Sequence, residues 1–385
     1  MKKAIILELI AFNFIVSCKH TNVVENEIPF IYDGFINVNC TMSDTIHGNF
    51  CFDTGAYDFT IDSTFEREKI RNPFFSVDSL QPALINNFMR IRVDSLNFFP
   101  EFVGRANCKR PWGRFADGII GWNLFKNKVI EIDYINEKMR VFDPDKFTIE
   151  DDFQCIPLDF IDGKIYLKAE LKLKEGSLIE GKYMFDLGFG GAIQLFDRVA
   201  RPYKLDLIIK DQEKFLVYNT TLYSDRSEGG IFRAASLKIG SIAMKEPIIR
   251  YYNNNVFKED SCDFLGLIGN EFFEKFRVFI DFRKGMLYLK PNVKFNERMM
   301  YTNIGFVTVN RTDVNEGATV KGVSLNSDAD KAGIRLGDMV THINGTSVKT
   351  FTLGQKIFED KSKDYEFTMK RKDSVFKFKT KPIVK

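Results

Sequence analysis

One block of this sequence occurs twice. Gly118-Ile119-Ile120-Gly121 returns as Gly266-Leu267-Ile268-Gly269, and at the same offset Phe125 meets Phe273, Ile132 meets Ile280 and Asp133 meets Asp281. Upstream, Ile28-Pro29 is echoed by Ile156-Pro157, Asp33-Gly34 by Asp162-Gly163, and Phe52-Asp53-Thr54-Gly55 by Phe185-Asp186-Leu187-Gly188. Isolated coincidences do not share one offset over such a block, so the chain is read as a duplicated unit. Between the shared motifs apolar and polar residues alternate, as in Phe35-Ile36-Asn37-Val38-Asn39 and Lys164-Ile165-Tyr166-Leu167-Lys168-Ala169, which predicts half-buried strands. Helical patterns are confined to short stubs after each closing glycine, at 123–126 and 271–275. Two similar β-lobes are expected, 28–147 and 148–292, with Asp133 and Asp281 starting turns between paired strands.

Composition narrows the function classes. A chain of 385 residues suggests two or three domains. Its 55 lysines and arginines nearly balance 52 acidic residues and are interspersed with them, which argues against a nucleic-acid-binding face. Only three histidines occur, His20, His47 and His342, in three separate regions, so a histidine-activated nucleophile or a histidine-built zinc site has little raw material. The six cysteines include no Cys-x-x-Cys pair. The 39 phenylalanines fall mostly on strand-like runs and are read as core.

The N-terminus reads as an export signal. Met1-Lys2-Lys3 is cationic and residues 4–17 are mostly apolar, too short to span a bilayer. The run ends Ile15-Val16-Ser17-Cys18, which resembles a bacterial lipoprotein lipobox. That resemblance implies a signal peptide over 1–17, lipidation of Cys18, a tether over 18–27, and an exported protein held at the membrane of the cell envelope. A plain secretory signal containing a cysteine is the other reading. Cys40 and Cys51 flank a hairpin turn and are candidate cross-strand partners.

The two Phe-Asp-x-Gly turns carry the chemistry. Two carboxylates about 3 Å apart cannot both ionise, so they share one proton, and the pair can act as base on a water and acid on a carbonyl at once. A glycine after each aspartate lets the turn approach the opposite lobe where a Cβ would collide. Asp-Thr-Gly in one lobe, Asp-x-Gly in the other and aliphatic-aliphatic-Gly closing both resemble the aspartic peptidases, and Ala56 after Asp-Thr-Gly is similar to the retropepsin branch. The resemblance covers roughly 28–292. It implies a mainly β, two-lobed acid-protease barrel fold, a polypeptide substrate, no cofactor and no metal, catalytic Asp53 and Asp186, and supporting turns at Thr54, Gly55, Leu187 and Gly188. Leu187 departs from the pattern, because relatives place a hydroxyl there that reaches across to the other lobe. The hairpin flap of relatives is expected from 76–92 or from the Gly229-Gly230 stretch. Arg105, Lys109, Arg110, Trp112 and Arg114 form a basic, aromatic-bearing loop before the closing block, read chiefly as solvated, with a substrate-facing loop as the alternative. The run Phe189-Gly190-Gly191-Ala192 lacks the helix and lysine of a phosphate loop.

Beyond the polar stretch 292–299, read as a linker, residues 300–385 resemble a PDZ domain of the bacterial protease-associated kind. The resemblance rests on Ala332-Gly333-Ile334-Arg335-Leu336-Gly337-Asp338-Met339-Val340 followed by Ile343-Asn344-Gly345. It implies a small α+β fold in which Asn303, Ile304, Gly305 and Phe306 hold a peptide's C-terminus while the peptide adds a strand beside 307–310. A PDZ fold acting only as an internal brace is the bland alternative. Two functions follow: an exported aspartic endopeptidase with a peptide-binding PDZ domain, or an inactive peptidase-fold lipoprotein that binds peptides or a protein partner.

Overall fold

The computed structural model describes residues 22–70, 89–210, 212–218, 226–252 and 264–385. Cys18 and the expected signal segment, and most of the 76–92 stretch, lie outside the described residues.

The two lobes meet in a six-stranded antiparallel sheet that neither makes alone. Its middle strands, Val129–Asp133 and Phe276–Asp281, pair with Ile130 opposite Ile280. Each has a hairpin partner, Lys138–Phe142 and Met286–Pro291, and each partner takes one more strand, Val24–Pro29 and Gln154–Pro157. The order reads the same from either edge, so a pseudo-two-fold axis passes between the middle strands. The repeated Ile-Pro pairs sit at matching places: Ile28 lies opposite Met139 and Ile156 opposite Leu287. Asp133 and Asp281 end the middle strands, and their carboxylates accept turn N–H groups of Ile135, Asn136 and Lys284. The first strand begins inside the stretch expected as a tether. Asn26 and Ile28 are buried, so residues from Val24 onward belong to the lobe, because the alternation of Val24-Glu25-Asn26-Glu27-Ile28 already has a buried face to fill.

Each lobe then builds its own curled sheet. In the first the spatial order is Leu96–Phe98, Ile91–Val93, Ile36–Met42, Ile46–Asp53, Gly118–Gly121, Phe59–Asp62 and Val103–Ala106. The second repeats it with Ile242–Lys245, Ser236–Ile239, Lys164–Lys172, Leu178–Phe185, Phe264–Ile268, Ile193–Leu195 and Ile248–Tyr252, then adds Arg226–Arg233 and Glu213–Tyr218. In both lobes the aspartate-bearing strand runs parallel to the closing strand: Asp53 lies opposite Gly121, and Phe185 opposite Ile268. The closing glycines are explained by a third strand crossing close by. A Cβ on Gly118 would stand 2.2 Å from Thr60 O, and one on Gly266 2.0 Å from Gln194 O. Phe50, Phe52, Phe185 and Phe273 fill one continuous core beneath both lobes, as expected of phenylalanines on strands. The expected hairpin forms, yet Cys40 lies opposite Gly48 and Cys51 opposite Asn37. Both thiols are free and buried, and burial pushes both up from the ordinary thiol range.

The C-terminal unit has its own core around Phe306, Val320, Ala329, Ile334, Phe367 and Met369. Ser327 caps the short helix Asp328–Lys331, and Gly333 (φ +78°) ends it. Asn344 and Gly345, both at positive φ, turn the hairpin that pairs Ile343 with Thr346. His342 lies on the strand Met339–Ile343 with its ring against Thr341. The stretch 292–299 is docked rather than free: Met299 is buried, and Lys275 Nζ donates to Glu297 O. The unit is also continuous with the second lobe, because Glu213–Tyr218 pairs antiparallel with Ala318–Ser324, Leu216 opposite Val323.

Candidate active site

Asp53 and Asp186 are brought together at the pseudo-two-fold axis. Each carboxylate accepts the N–H of the glycine two residues on, Gly55 N to Asp53 Oδ1 at 2.7 Å and Gly188 N to Asp186 Oδ1 at 2.9 Å. Each glycine also lies against the opposite lobe's aspartate. A Cβ on Gly55 would meet Asp186 Cγ at 2.9 Å, and one on Gly188 would meet Asp53 Cγ at 2.3 Å. Only glycine permits this approach, as the tripeptides suggest.

The two carboxyl groups hydrogen-bond to each other, and both are held above the ordinary carboxylate range. For Asp186, burial and then the neighbouring Asp53 charge push the group well up. For Asp53, burial raises the group while the Gly55 N–H, Asp186, and the Gly188 and Ala56 N–H groups pull it back. Two carboxyls this close share one proton, and they titrate as a unit.

Thr54 is fully buried and bridges the lobes. Its Oγ1 donates to Phe185 O at 2.7 Å and accepts from Leu187 N at 3.0 Å. Leu187 makes no reciprocal bridge: its side chain is wholly buried in the main core. Other side chains hold the second turn. Asn270 Nδ2 donates to Leu187 O at 2.6 Å, and Tyr134 of the first lobe donates to Asn270 Oδ1 at 2.8 Å. Trp112 Nε1 donates to Gly188 O at 3.2 Å. Sequence reasoning passed over Asn270 and Tyr134. The signal available was position, since Asn270 follows the closing glycine of one lobe as Trp122 does that of the other.

The basic loop is not solvated, which corrects the sequence reading. Lys109 is buried and pairs with Asp117 at 3.1 Å, Arg105 pairs with Glu66 at 2.7 Å, and Arg114 binds the C-terminal unit. Lys109 and Arg105 satisfy carboxylates that burial would otherwise strand, a pairing that composition cannot reveal. Gly229 and Gly230 lie on Arg226–Arg233, whose hairpin partner Glu213–Tyr218 pairs with the C-terminal unit.

Asn303, Ile304, Gly305 and Phe306 stand together at the start of the strand Phe306–Asn310, with Gly305 at φ +88°. Asn303 is buried. Its Oδ1 accepts Gly305 N–H at 2.6 Å, and its Nδ2 donates to Glu213 of the second lobe and to Ser324. A peptide carboxylate arriving here would compete with Asn303 for the Gly305 N–H. Val307 is exposed beside it, on the edge opposite the partner strand Ala318–Ser324.

Comparison with known families matches residues 297–369 to the PDZ domain. The C-terminal unit is a PDZ domain. No curated protein matches the chain. Among solved structures, the crystal structure of an aspartic proteinase from Irpex lacteus aligns over 71% of this chain and 99% of its own, at 11% sequence identity and a TM-score of 0.42. The mainly β architecture, two lobes of one strand order followed by a PDZ domain, agrees with the fold class expected from the sequence.

Proposed function

We propose that this protein is an aspartic endopeptidase of the cell envelope, exported, anchored through lipidated Cys18, and equipped with a PDZ domain that receives peptide C-termini. The observation that carries the reading is the hydrogen-bonded pair Asp53 and Asp186, one from each lobe, against which Gly55 and Gly188 pack. In this reading the ionised carboxyl takes a proton from water as that water attacks the peptide carbonyl. The protonated carboxyl gives its proton to the carbonyl oxygen. The resulting diol collapses as the carboxyl that took the water's proton passes it to the leaving nitrogen and the other carboxyl takes a diol proton, which restores the singly protonated pair. Neither carboxyl holds one role throughout, since the pair titrates as a unit. Ala56 and Phe189 offer the pair no hydroxyl, which favours working nearer neutrality than pH 4.

The competing reading is an inactive peptidase fold that binds peptides or a protein partner, and Leu187 favours it by removing one half of the cross-lobe bridge. Against it stand the other partners of that turn, Thr54, Asn270 and Trp112. Cleavage of an unfolded protein between about pH 4 and 8 separates the two. The full-length mature chain is expected to cleave, and Asp53→Asn and Asp186→Asn are each expected to abolish cleavage. Variants as active as the parent would overturn the assignment.

A further inference from the structure

We infer that Trp112 is a positioning residue for Asp186 and that the PDZ domain holds Trp112 in place through Arg114, so that docking of the PDZ domain is part of the active site. The inference rests on the dyad reading above and adds a residue and a dependence to it.

Three contacts form the chain. At the dyad, Gly188 gives its N–H to Asp186 Oδ1 at 2.9 Å, and its carbonyl accepts Trp112 Nε1 at 3.2 Å. Gly188 is therefore held from both sides: one bond fixes the carboxylate to the turn, and the other fixes the turn to the opposite lobe. A glycine turn has little stiffness of its own, and Leu187 supplies no hydroxyl to brace it. The indole is in turn set edge-on against Phe35, with ring centroids 6.2 Å apart and planes at 80°, and Phe35 lies beside Gly190 of the same second-lobe turn.

Trp112 ends the short helix Lys109–Trp112, and the next residues belong to the PDZ interface. Arg114 N donates to Asn310 O at 2.7 Å, taking the last carbonyl of the strand Phe306–Asn310. Its guanidinium donates to Thr312 Oγ1 at 2.8 Å and to Phe351 O. Gly113, at φ +88°, holds a backbone conformation that strains other residues, and a Cβ there would press on Asn310 O at 3.1 Å. These contacts all come from the PDZ domain, and they meet the chain one and two residues from the indole that holds Gly188.

The test uses the full-length mature chain with Trp112→Phe, Arg114→Ala and the double variant. Trp112→Phe keeps an aromatic ring beside Phe35 and loses the indole N–H together with the second ring. It is expected to lower kcat about tenfold with KM within about twofold, since a small displacement at the reacting groups acts on rate more than on binding. Arg114→Ala is expected to lower kcat in the same sense. The double variant is expected to be no worse than Trp112→Phe, because both act through one contact. A second readout is independent of catalysis. The chain has two tryptophans, so the two indole N–H groups can be followed separately by NMR. Arg114→Ala is expected to speed exchange of the Trp112 indole proton and to leave that of Trp122, bonded to Gly163 O, unchanged. An unchanged kcat in Trp112→Phe, multiplicative losses in the double variant, or an unaltered Trp112 indole in Arg114→Ala would each overturn the proposal. Failure of the dyad reading looks different: Asp186→Asn would then cleave like the parent, while the indole response to Arg114→Ala would persist.

Discussion

At the scale of single residues, the buried aspartate pair makes stability depend on pH. Asp186 is held well above the ordinary carboxylate range by burial and by Asp53. A carboxyl raised in the folded state binds its proton more tightly there than in the unfolded chain, so folding stability falls as pH rises from the unfolded value through the raised one. Asp186→Asn removes that dependence, and the variant is expected to melt higher than the parent at pH 8 but not at pH 4. Equal differences at both values would contradict the buried pair. Leu187 makes the complementary case. Its side chain is wholly buried in the core, so Leu187→Thr places a hydroxyl among apolar groups and is expected to cost about 1–3 kcal/mol in chemical denaturation. It is not expected to raise kcat, because Asn270 and Trp112 already brace that turn; a many-fold activation would instead mark Leu187 as the lesion of an inactive site.

At the scale of elements, legibility followed the backbone rules. The Gly-Ile-Ile-Gly and Gly-Leu-Ile-Gly strands were readable because close crossing forbids a Cβ, and a glycine required by sterics survives in the sequence as a glycine. The paired Ile-Pro starts, the Asp-Gly turns and the alternating strands were readable for the same reason, since each reports a local conformation. The basic loop was not. Lys109 with Asp117, Arg105 with Glu66, and Arg114 with Thr312 join residues that only tertiary packing brings together, and a run of cations looks the same whether water or carboxylates neutralise it. Asn270 was missed likewise: a polar residue after a closing glycine reads as a helix start, and its bond to Leu187 O exists only once the two turns meet. The start of the first lobe was misplaced because Val24-Glu25-Asn26-Glu27 is polar in composition although Asn26 is buried, bonded to Asp94 and Ser95.

At the scale of the molecule, duplication and fusion divide the work. The six-stranded sheet ties the lobes symmetrically, and the symmetry delivers one aspartate from each side to a shared axis. The PDZ domain breaks that symmetry, since it continues the second lobe's sheet through Leu216 and Val323 and reaches the first lobe through Arg114. The central physical claim is that Asp53 and Asp186 hold one proton between them. Carbon-13 NMR of the aspartate carboxyl groups in the full-length protein tests it directly, with Asp53→Asn and Asp186→Asn identifying the two signals. The two carboxyls are expected to titrate together in two widely separated steps, the upper well above the ordinary carboxylate range, and either substitution is expected to collapse them to one. Two independent titrations in the ordinary range would contradict it.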